Sequence, residues 1–417
     1  VDPPAGEARA ALDELVASHL VVAVGADRWR FHDLIGVYAR ECAEPAEADW
    51  AAARIIDWYL AVADRANQAF EPTRDRAGPV RTDPPIEAPF PAEHAPALAF
   101  LDAERANLLP VARLAAERGQ DLAGWRITYL LTSYHSLRGH WSAQVELCRL
   151  GLAAAQRLAD PVAESLLRSL LGVACTNVRL HQEAVTHLAV ALDLMRAAGD
   201  RLGQAKTLNN LAATNVRLGH YDAALDAFDQ ALQLHTADRQ QPGIALALNN
   251  LGHTHTLKGQ PELAQPYLAQ ALTLARQIAD PGLEALTLHS LGQARLAATD
   301  PDGALSHFDA ARSIRHRIGE RRLEADTLNQ IGLTHRRRGD LATAAAHFRR
   351  ALRLARELDD RHLAATILEN LAGDGHAGRA GSAGAEPDHR GRVHHPAARR
   401  GVDPDLEPPV RSTGRSR

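Results

Sequence analysis

Carboxamide side chains recur at a fixed step of 40 residues in this 417-residue chain. A carboxamide carries both donors and an acceptor, so a ladder of such groups can hydrogen-bond the main chain of an extended peptide. Two adjacent columns form the ladder, one reading Ser169, Asn209, Asn249, His289, Asn329 and the next Leu170, Asn210, Asn250, Ser290, Gln330. We therefore predict partner binding by Asn209, Asn210, Asn249, Asn250, His289 and Asn329. The alternative interpretation is that these side chains bridge neighbouring helices.

The adjacent imidazole and carboxylate of His32 and Asp33 are the second candidate for chemistry. The pair is too isolated for a metal-dependent hydrolase, and the sequence contains no GxSxG, HExxH or CxxC motif. It also contains no GK[ST], and the two lysines, Lys206 and Lys258, lie outside any Gly-rich loop that could hold the β- and γ-phosphates of a nucleotide. We therefore expect no enzymatic activity, no cofactor and no metal site.

The ladder belongs to a repeat whose apolar positions keep the same phase over residues 161–372. In one unit, Leu211 and Ala212 lie on the apolar face of a first helix, and Gly219 allows the left-handed turn that ends it. A second helix would place the small Ala224 and the aromatic Phe228 on its inner face. One unit cannot bury these faces alone, so neighbouring units must stack into a solenoid.

These columns of Leu, a small residue, Ala, Phe and Ala resemble the tetratricopeptide repeat. Alanine and leucine dominate the chain, and strand-like β-branched runs are scarce. The predicted fold class is therefore all-α, a tetratricopeptide-repeat superhelical solenoid. A partial winged-helix subdomain is predicted to precede it: a helix over 8–20, a hairpin over 21–31 and a helix over 32–43.

The hairpin and the following RFHDLIGVYAREC resemble the end of the winged-helix subdomain of STAND-type NTPases. The arrangement is similar to that of actinobacterial SARP/AfsR-type transcriptional regulators, in which tetratricopeptide repeats follow this helix. In such NTPases a Met-His-Asp triplet places its His against the β-phosphate of ADP, and Phe31-His32-Asp33 matches two of the three residues. The resemblance implies an inherited nucleotide-sensing motif at His32 and Asp33. The alternative is that His32-Asp33 simply caps the next helix.

Composition and motifs divide the chain into six segments and suggest its role. Residues 1–43 are the partial winged helix, 44–70 a helical connector, 71–97 a Pro-rich linker, 98–160 a connector with an atypical capping repeat, 161–372 the repeats, and 373–417 a disordered tail. We expect the chain to be the C-terminal part of a regulator, whether a fragment or a split gene. The expected function is a non-enzymatic interaction and sensor module that binds a peptide or protein partner, or an NTPase domain in cis or trans.

The charge pattern argues against nucleic acid as a direct partner. The formal net charge is −4, and the helix predicted over 32–43 carries Arg40 against several carboxylates. A recognition helix needs a basic side to contact phosphates, which this helix lacks. Direct DNA binding through the winged helix is therefore the alternative function and not the favoured one. No apolar run approaches a membrane span. Three cysteines without a CxxC pair predict reduced, buried thiols in a cytoplasmic protein.

Overall fold

The computed structural model of the protein describes residues 5–25, 28–71, 80, 82, 85–358 and 360–380. Its N-terminal part contains a helix, an antiparallel hairpin and a second helix, in the order predicted from the sequence. These are α1 Ala5–Ala17, β1 Val21–Gly25, β2 Arg28–Phe31 and α2 Asp33–Cys42. Val21 pairs with Phe31 at the open end of the hairpin, and Val21 is buried whereas Phe31 is exposed.

Two long helices, α3 Pro45–Phe70 and α4 His94–Glu117, connect the hairpin to the solenoid. Glu104 is the buried polar centre of this connection. Its carboxylate accepts a hydrogen bond from Tyr59 Oη at 2.6 Å and one from Asn107 Nδ2 at 2.8 Å, and it pairs with Arg28 of β2 at 2.5 Å. Burial raises the pKa of Glu104, but these partners outweigh that effect and hold the pKa below its ordinary value.

The remainder of the described chain consists of paired helices and a final unpaired helix. Each unit comprises a first and a second helix joined by a short turn. In order these helices are α5 Asp121–Arg138, α6 Trp141–Arg157, α7 Pro161–Asn177, α8 His181–Ala197, α9 Arg201–Leu218, α10 Tyr221–Ala237, α11 Gln241–Leu257, α12 Pro261–Gln277, α13 Pro281–Ala297, α14 Pro301–Arg317, α15 Arg321–Arg337, α16 Leu341–Glu357 and α17 Arg361–Ala380. The predicted all-α superhelical solenoid is confirmed.

The small-residue columns predicted from the repeat form the core of each unit. Ala184, Ala224, Ala264, Ala304 and Ala344 are each fully buried. A Cβ added at Gly332 would lie 2.6 Å from the ring of Phe348, which is closer than carbon atoms can pack. The glycine therefore lets the aromatic ring of the second helix rest directly on the backbone of the first.

The solenoid curves enough to bring the α7–α8 turn near the last helix, α17. Arg179, in the turn between α7 and α8, reaches His362 at the start of α17, with Nη2 and Nε2 3.5 Å apart. These residues are 183 positions apart in the chain. The stretch from α7 to α17 is therefore curved enough to bring these two positions into contact.

Several local expectations are wrong. The apolar pattern over residues 47–70 predicts Trp50 and Ile55 on the core side of α3, but both are exposed because Ile56 and Leu60 supply its buried face. Cys42 is exposed, whereas Cys148 and Cys175 are buried. The sequence suggests Asp222 as the N-cap of α10, but this helix begins at Tyr221 with His220 as its N-cap, and Asp222 pairs instead with Lys258.

The segment boundaries differ at two places. Helix α4 begins at His94, inside the linker predicted over 71–97, part of which lies outside the described residues. Helix α17 continues to Ala380, past residue 373 where a disordered tail was predicted. Once a helix is nucleated, each further residue adds one hydrogen bond, so the segment extends beyond the last apolar contact. Residues 381–417 of the predicted tail lie outside the described residues.

Candidate partner-binding groove

The first helices of the repeats line the concave side of the solenoid. Successive first helices contact one another directly, as α7 contacts α9 and α11 contacts α13. The hydroxyl groups of Thr176 and Thr214, on α7 and α9, are 2.8 Å apart. In a bent stack the elements nearest the axis approach most closely, so the first helices form the inner wall. We call the surface they enclose the groove.

An accessible stripe runs along each first helix at helical spacing. On α9 it comprises Lys206, Asn210, Ala213 and Arg217, and the steps of four, three and four residues keep these positions on one face. The equivalent positions of α11 are Leu246, Asn250, His253 and Leu257. The groove therefore presents carboxamides flanked by apolar and charged side chains.

The two predicted columns have different environments. Asn209, Asn249, His289 and Asn329 of the first column are each at least nine-tenths buried between helices. In the second column Asn210 and Asn250 are half-buried in the groove. The backbone rotates by about 100° per residue, so adjacent positions separate into a buried row and an accessible row. Sequence reasoning grouped all six residues and could not make this distinction.

Hydrogen bonds link the buried column to the accessible one. Asn249 donates to Asn250 Oδ1 at 3.1 Å, and Asn370 of α17 donates to Asn329 Oδ1 at 3.0 Å. The second contact joins α15 to α17, which is the helix-bridging role considered as the alternative. The Oδ1 atoms of Asn209 and Asn249 are buried and lack a hydrogen-bond partner within the described chain. Unsatisfied acceptors of this kind are costly when removed from water.

His289 lies between a buried cation and a carboxylate of the groove. Its Nδ1 is 3.3 Å from Arg315 Nη1, and its Nε2 is 3.7 Å from Asp326 Oδ2. A guanidinium can only donate, so Nδ1 accepts and Nε2 carries the proton that faces Asp326. Burial, and then the charge of Arg315, lower the pKa of His289 to about 3. His289 is therefore neutral and acts as a donor towards the groove.

Asp326 is an acidic groove residue that the sequence analysis did not single out. Its side chain is 41% exposed, and the walls of the groove displace part of the water around it. This enclosure raises the pKa of its carboxyl, while the nearby Arg315 and Arg322 oppose the shift. Asp326 occupies the same repeat position as Lys206, so the two ends of the groove differ in charge. Following the repeat position of Lys206 along the chain in steps of 40 residues would have identified Asp326 from the sequence.

The second predicted site lies far from the groove. His32 is the N-cap of α2, it is exposed, and its side chain makes no capping hydrogen bond. Asp33 is the first residue of α2, and its side chain lies outside the described residues. The described surface around this motif is apolar, since Phe31, Leu34 and Tyr38 are exposed.

The repeat geometry agrees with a known family. The sequence model of the tetratricopeptide repeat matches residues 162–237, 243–317 and 323–381, which together make up half of the chain. The chain belongs to the tetratricopeptide repeat family. The last match extends past residue 373, in agreement with the extended α17.

Two regulatory proteins are similar to part of this chain. The regulatory protein AfsR of Streptomyces griseus is 29% identical over 276 residues, and AfsR of Streptomyces coelicolor is 27% identical over 285 residues. The alignments cover 54% and 56% of this chain. The chain spans 28% of the length of either relative. The resemblance to SARP/AfsR-type regulators is thereby confirmed for this portion.

A solved structure shares the tetratricopeptide fold. A Rap protein crystallised with competence and sporulation factor superposes with a TM-score of 0.51 and 14% identity, over 68% of this chain and 89% of the Rap chain. At this identity the match concerns the fold alone.

None of the helices in the described residues combines the length and apolar character that crossing a membrane requires.

Proposed function

We propose that this protein is a non-enzymatic interaction and sensor module of a signalling or transcriptional regulator, and that it binds an extended peptide or protein segment in the groove. The observation that carries the proposal is the row of accessible carboxamides on adjacent first helices. The similarity to AfsR supports the regulatory setting. The Rap protein shares this fold and is complexed with a factor, which supports ligand binding by this type of solenoid.

The accessible column would contact the ligand main chain. Asn250 uses Oδ1 to accept from Asn249, which leaves its amide hydrogens available to a ligand. Asn210 and Gln330 make no side-chain hydrogen bond within the described chain. These three carboxamides, with Ser290 at the repeat between Asn250 and Gln330, would alternate donors and acceptors along an extended backbone. The buried members Asn209, Asn249, His289 and Asn329 would hold this row in place from beneath.

The flanking side chains would select the ligand. Leu246 and Leu286 are half-buried at the rim of the same stripe, and each could cover an apolar side chain of the peptide. Lys206 and Asp326 would place opposite charges at separate positions along it. We therefore expect a ligand with an apolar centre and charges towards its ends.

Selection from a displayed library of short extended peptides, followed by titration, tests the groove. The double variant Asn210→Ala/Asn250→Ala should weaken the selected peptide about tenfold, because each lost hydrogen bond is worth about 1 kcal/mol or less. Replacing the buried Asn209 or Asn249 would test folding instead of binding. Calorimetry with the full chain gives the dissociation constants.

A matched control uses carboxamides on the outer wall. Gln230 of α10 and Gln270 of α12 are exposed on second helices, so Gln230→Ala/Gln270→Ala should leave the affinity unchanged. Equal losses in the two double variants, or no peptide selected at all, would refute binding through the groove.

The motif at His32 supports an additional partner. We propose that the surface formed by Phe31, Leu34 and Tyr38 docks on an NTPase domain, in cis or in trans, which would bring His32 to its nucleotide. Leu34 is 84% exposed, and an apolar patch of this kind is typical of a protein interface. Translation of the flanking DNA in all frames would show whether a P-loop domain is encoded beside this chain.

Direct DNA binding is the alternative function. The exposed apolar side of α2 does not favour it, since a phosphate backbone attracts basic residues. Retention of the protein on DNA at moderate salt would support this alternative over the peptide groove.

A further inference from the structure

A pocket of about 580 Å³ lies outside the groove, at the junction of α4, α5 and α6. Its polar walls come from Arg105 and Arg113 of α4 and from His135 and His140 around the α5–α6 turn. Leu109, Pro110 and Trp141 contribute apolar surface. Neither the repeat pattern nor the groove gives this pocket a role.

The pocket contains the N-terminus of α6, a helix of 17 residues. Trp141, Ser142 and Ala143 are its first residues and line the pocket. The first N–H groups of a helix have no partner within it, and the N-cap residue His140 makes no side-chain capping bond here. A helix start with free N–H groups favours an anion through both hydrogen bonding and the helix dipole.

A second observation comes from His135, which is 4% exposed and lines the same pocket. Its Nδ1 is buried and has no hydrogen-bond partner within the described chain. Burial, reinforced by the neighbouring His140, lowers the pKa of His135 to about 4. The imidazole is therefore neutral at physiological pH and leaves one ring nitrogen unsatisfied towards the pocket.

Arg105 supplies positive charge and fixes the proton of His140. Its Nη1 lies 3.5 Å from His140 Nε2, the outer limit of a hydrogen bond. Since a guanidinium only donates, Nε2 accepts and the proton of His140 resides on Nδ1, another buried atom without a partner in the described residues. Arg113 is neutralised by Glu146, whereas Arg105 makes no ion pair with a carboxylate of the described chain.

We propose that this pocket binds a small organic anion, with a carboxylate or phosphate headgroup at the N-terminus of α6 beside Arg105. The apolar body of the ligand would lie against Leu109 and Trp141. The unsatisfied donors, the unpaired guanidinium and the apolar wall together fit that chemical class. A neutral ligand would leave the charge of Arg105 and the helix dipole without a partner.

The probes are benzoate and phenyl phosphate, with benzamide as a neutral analogue of the same shape, titrated into the full chain. The signal followed by ¹⁵N NMR is the Trp141 indole N–H, assigned with Trp141→Phe. We expect saturable shifts with at least one anion and an affinity for benzamide about tenfold weaker, since hydrogen bonds to a charged partner are the stronger ones. The tighter of the two anions identifies the headgroup.

Two arginine variants separate the pocket from general charge. Arg105→Met keeps the apolar stem and should weaken the preferred anion about tenfold. Arg149→Met removes an exposed arginine of α6 that pairs with Glu183 and does not line the pocket, so it should bind like the wild type. Equal affinity for benzoate and benzamide, no shift with either anion, or equal losses in both variants would overturn the proposal. The comparison of probes on the wild type holds even if a variant fails to fold.

Discussion

At the scale of single residues, Arg315 places a guanidinium where the other repeats hold a small or less polar residue. The equivalent positions are Ala155, Met195, His235, Ala275 and Ala355. Arg315 is 1% exposed, its Nε has no partner, and it makes no ion pair within the described chain. Donation to Leu323 O at 3.0 Å and to Thr327 offsets part of the desolvation. A buried charge with such partial satisfaction contributes little stability.

Arg315→Met introduces the residue that the second repeat already has at this position. We expect the free energy of unfolding, measured with urea, to stay unchanged or rise by about 1 kcal/mol, because the desolvation of the guanidinium is removed. The pKa of His289 should rise but remain low, since burial is its main cause. Arg317→Met, at an exposed position of the same helix, is the control. A large loss of stability in Arg315→Met alone would contradict this account.

The sequence predicted which residue types recur but not how each is buried. The 40-residue step located both carboxamide columns. It could not show that Asn209 is buried whereas Asn210 lines the groove, because that depends on how closely α7 and α11 approach α9. Arg315 was not predicted as a buried residue either, since an arginine on a second helix is ordinarily exposed.

At the scale of elements, the close contact of first and second helices depends on small residues. Gly332 lies against the ring of Phe348, whereas Gly124 has ordinary contacts, the nearest being Ala115 Cβ at 3.6 Å. Both glycines are inside helices and both are buried. They therefore separate the effect of helix propensity from that of packing.

Gly124→Ala should raise the free energy of unfolding by about 1 kcal/mol, because alanine favours a helix interior over glycine. Gly332→Ala should lower the free energy of unfolding by about 1 kcal/mol or more. The cost of displacing Phe348 exceeds the gain in helix propensity. Thermal or urea denaturation of the two variants measures the difference. A change in the free energy of unfolding of the same sign in both variants would show that the contact with Phe348 does not decide the effect of Gly332→Ala.

Element order was easier to predict than element ends. The hairpin, the helix from residue 33 and the repeat helices follow from alternation and helical spacing. The end of α17 could not be predicted, because glycines such as Gly373 and Gly375 weaken a helix without stopping it. Trp50 on α3 was misplaced because two overlapping apolar stripes on that helix fit the sequence equally well.

At the scale of the whole molecule, buried imidazoles make stability depend on pH. Burial is the main cause of the lowered pKa of each of these histidines. The pKa is lowered to about 4 for His135 and to about 3 for His289. The same direction holds for His140, His181, His187, His235, His253, His307 and His347. In each case the unfolded chain binds a proton more readily than the folded one.

The melting temperature should therefore fall as the pH is lowered from 6.5 towards 4. A histidine of the unfolded chain has a pKa of about 6.5, so the stability that these groups contribute is fully present above pH 6.5 and is lost progressively below it. His289→Gln should make the dependence shallower, because it removes one of these groups. Scanning calorimetry across this range measures both slopes. A melting temperature independent of pH would contradict the assignment of neutral imidazoles.

The contact between Arg179 and His362 also brings distant parts of the chain together. The α7–α8 turn and the start of α17 are separated by most of the repeat array in sequence, yet they lie beside each other in space. Two groups held in this way meet at an effective concentration far above that of free molecules. The repeats between them thus act as a short tether that joins the α7–α8 turn to α17, and any change in the curvature of the solenoid would alter how often these two positions meet.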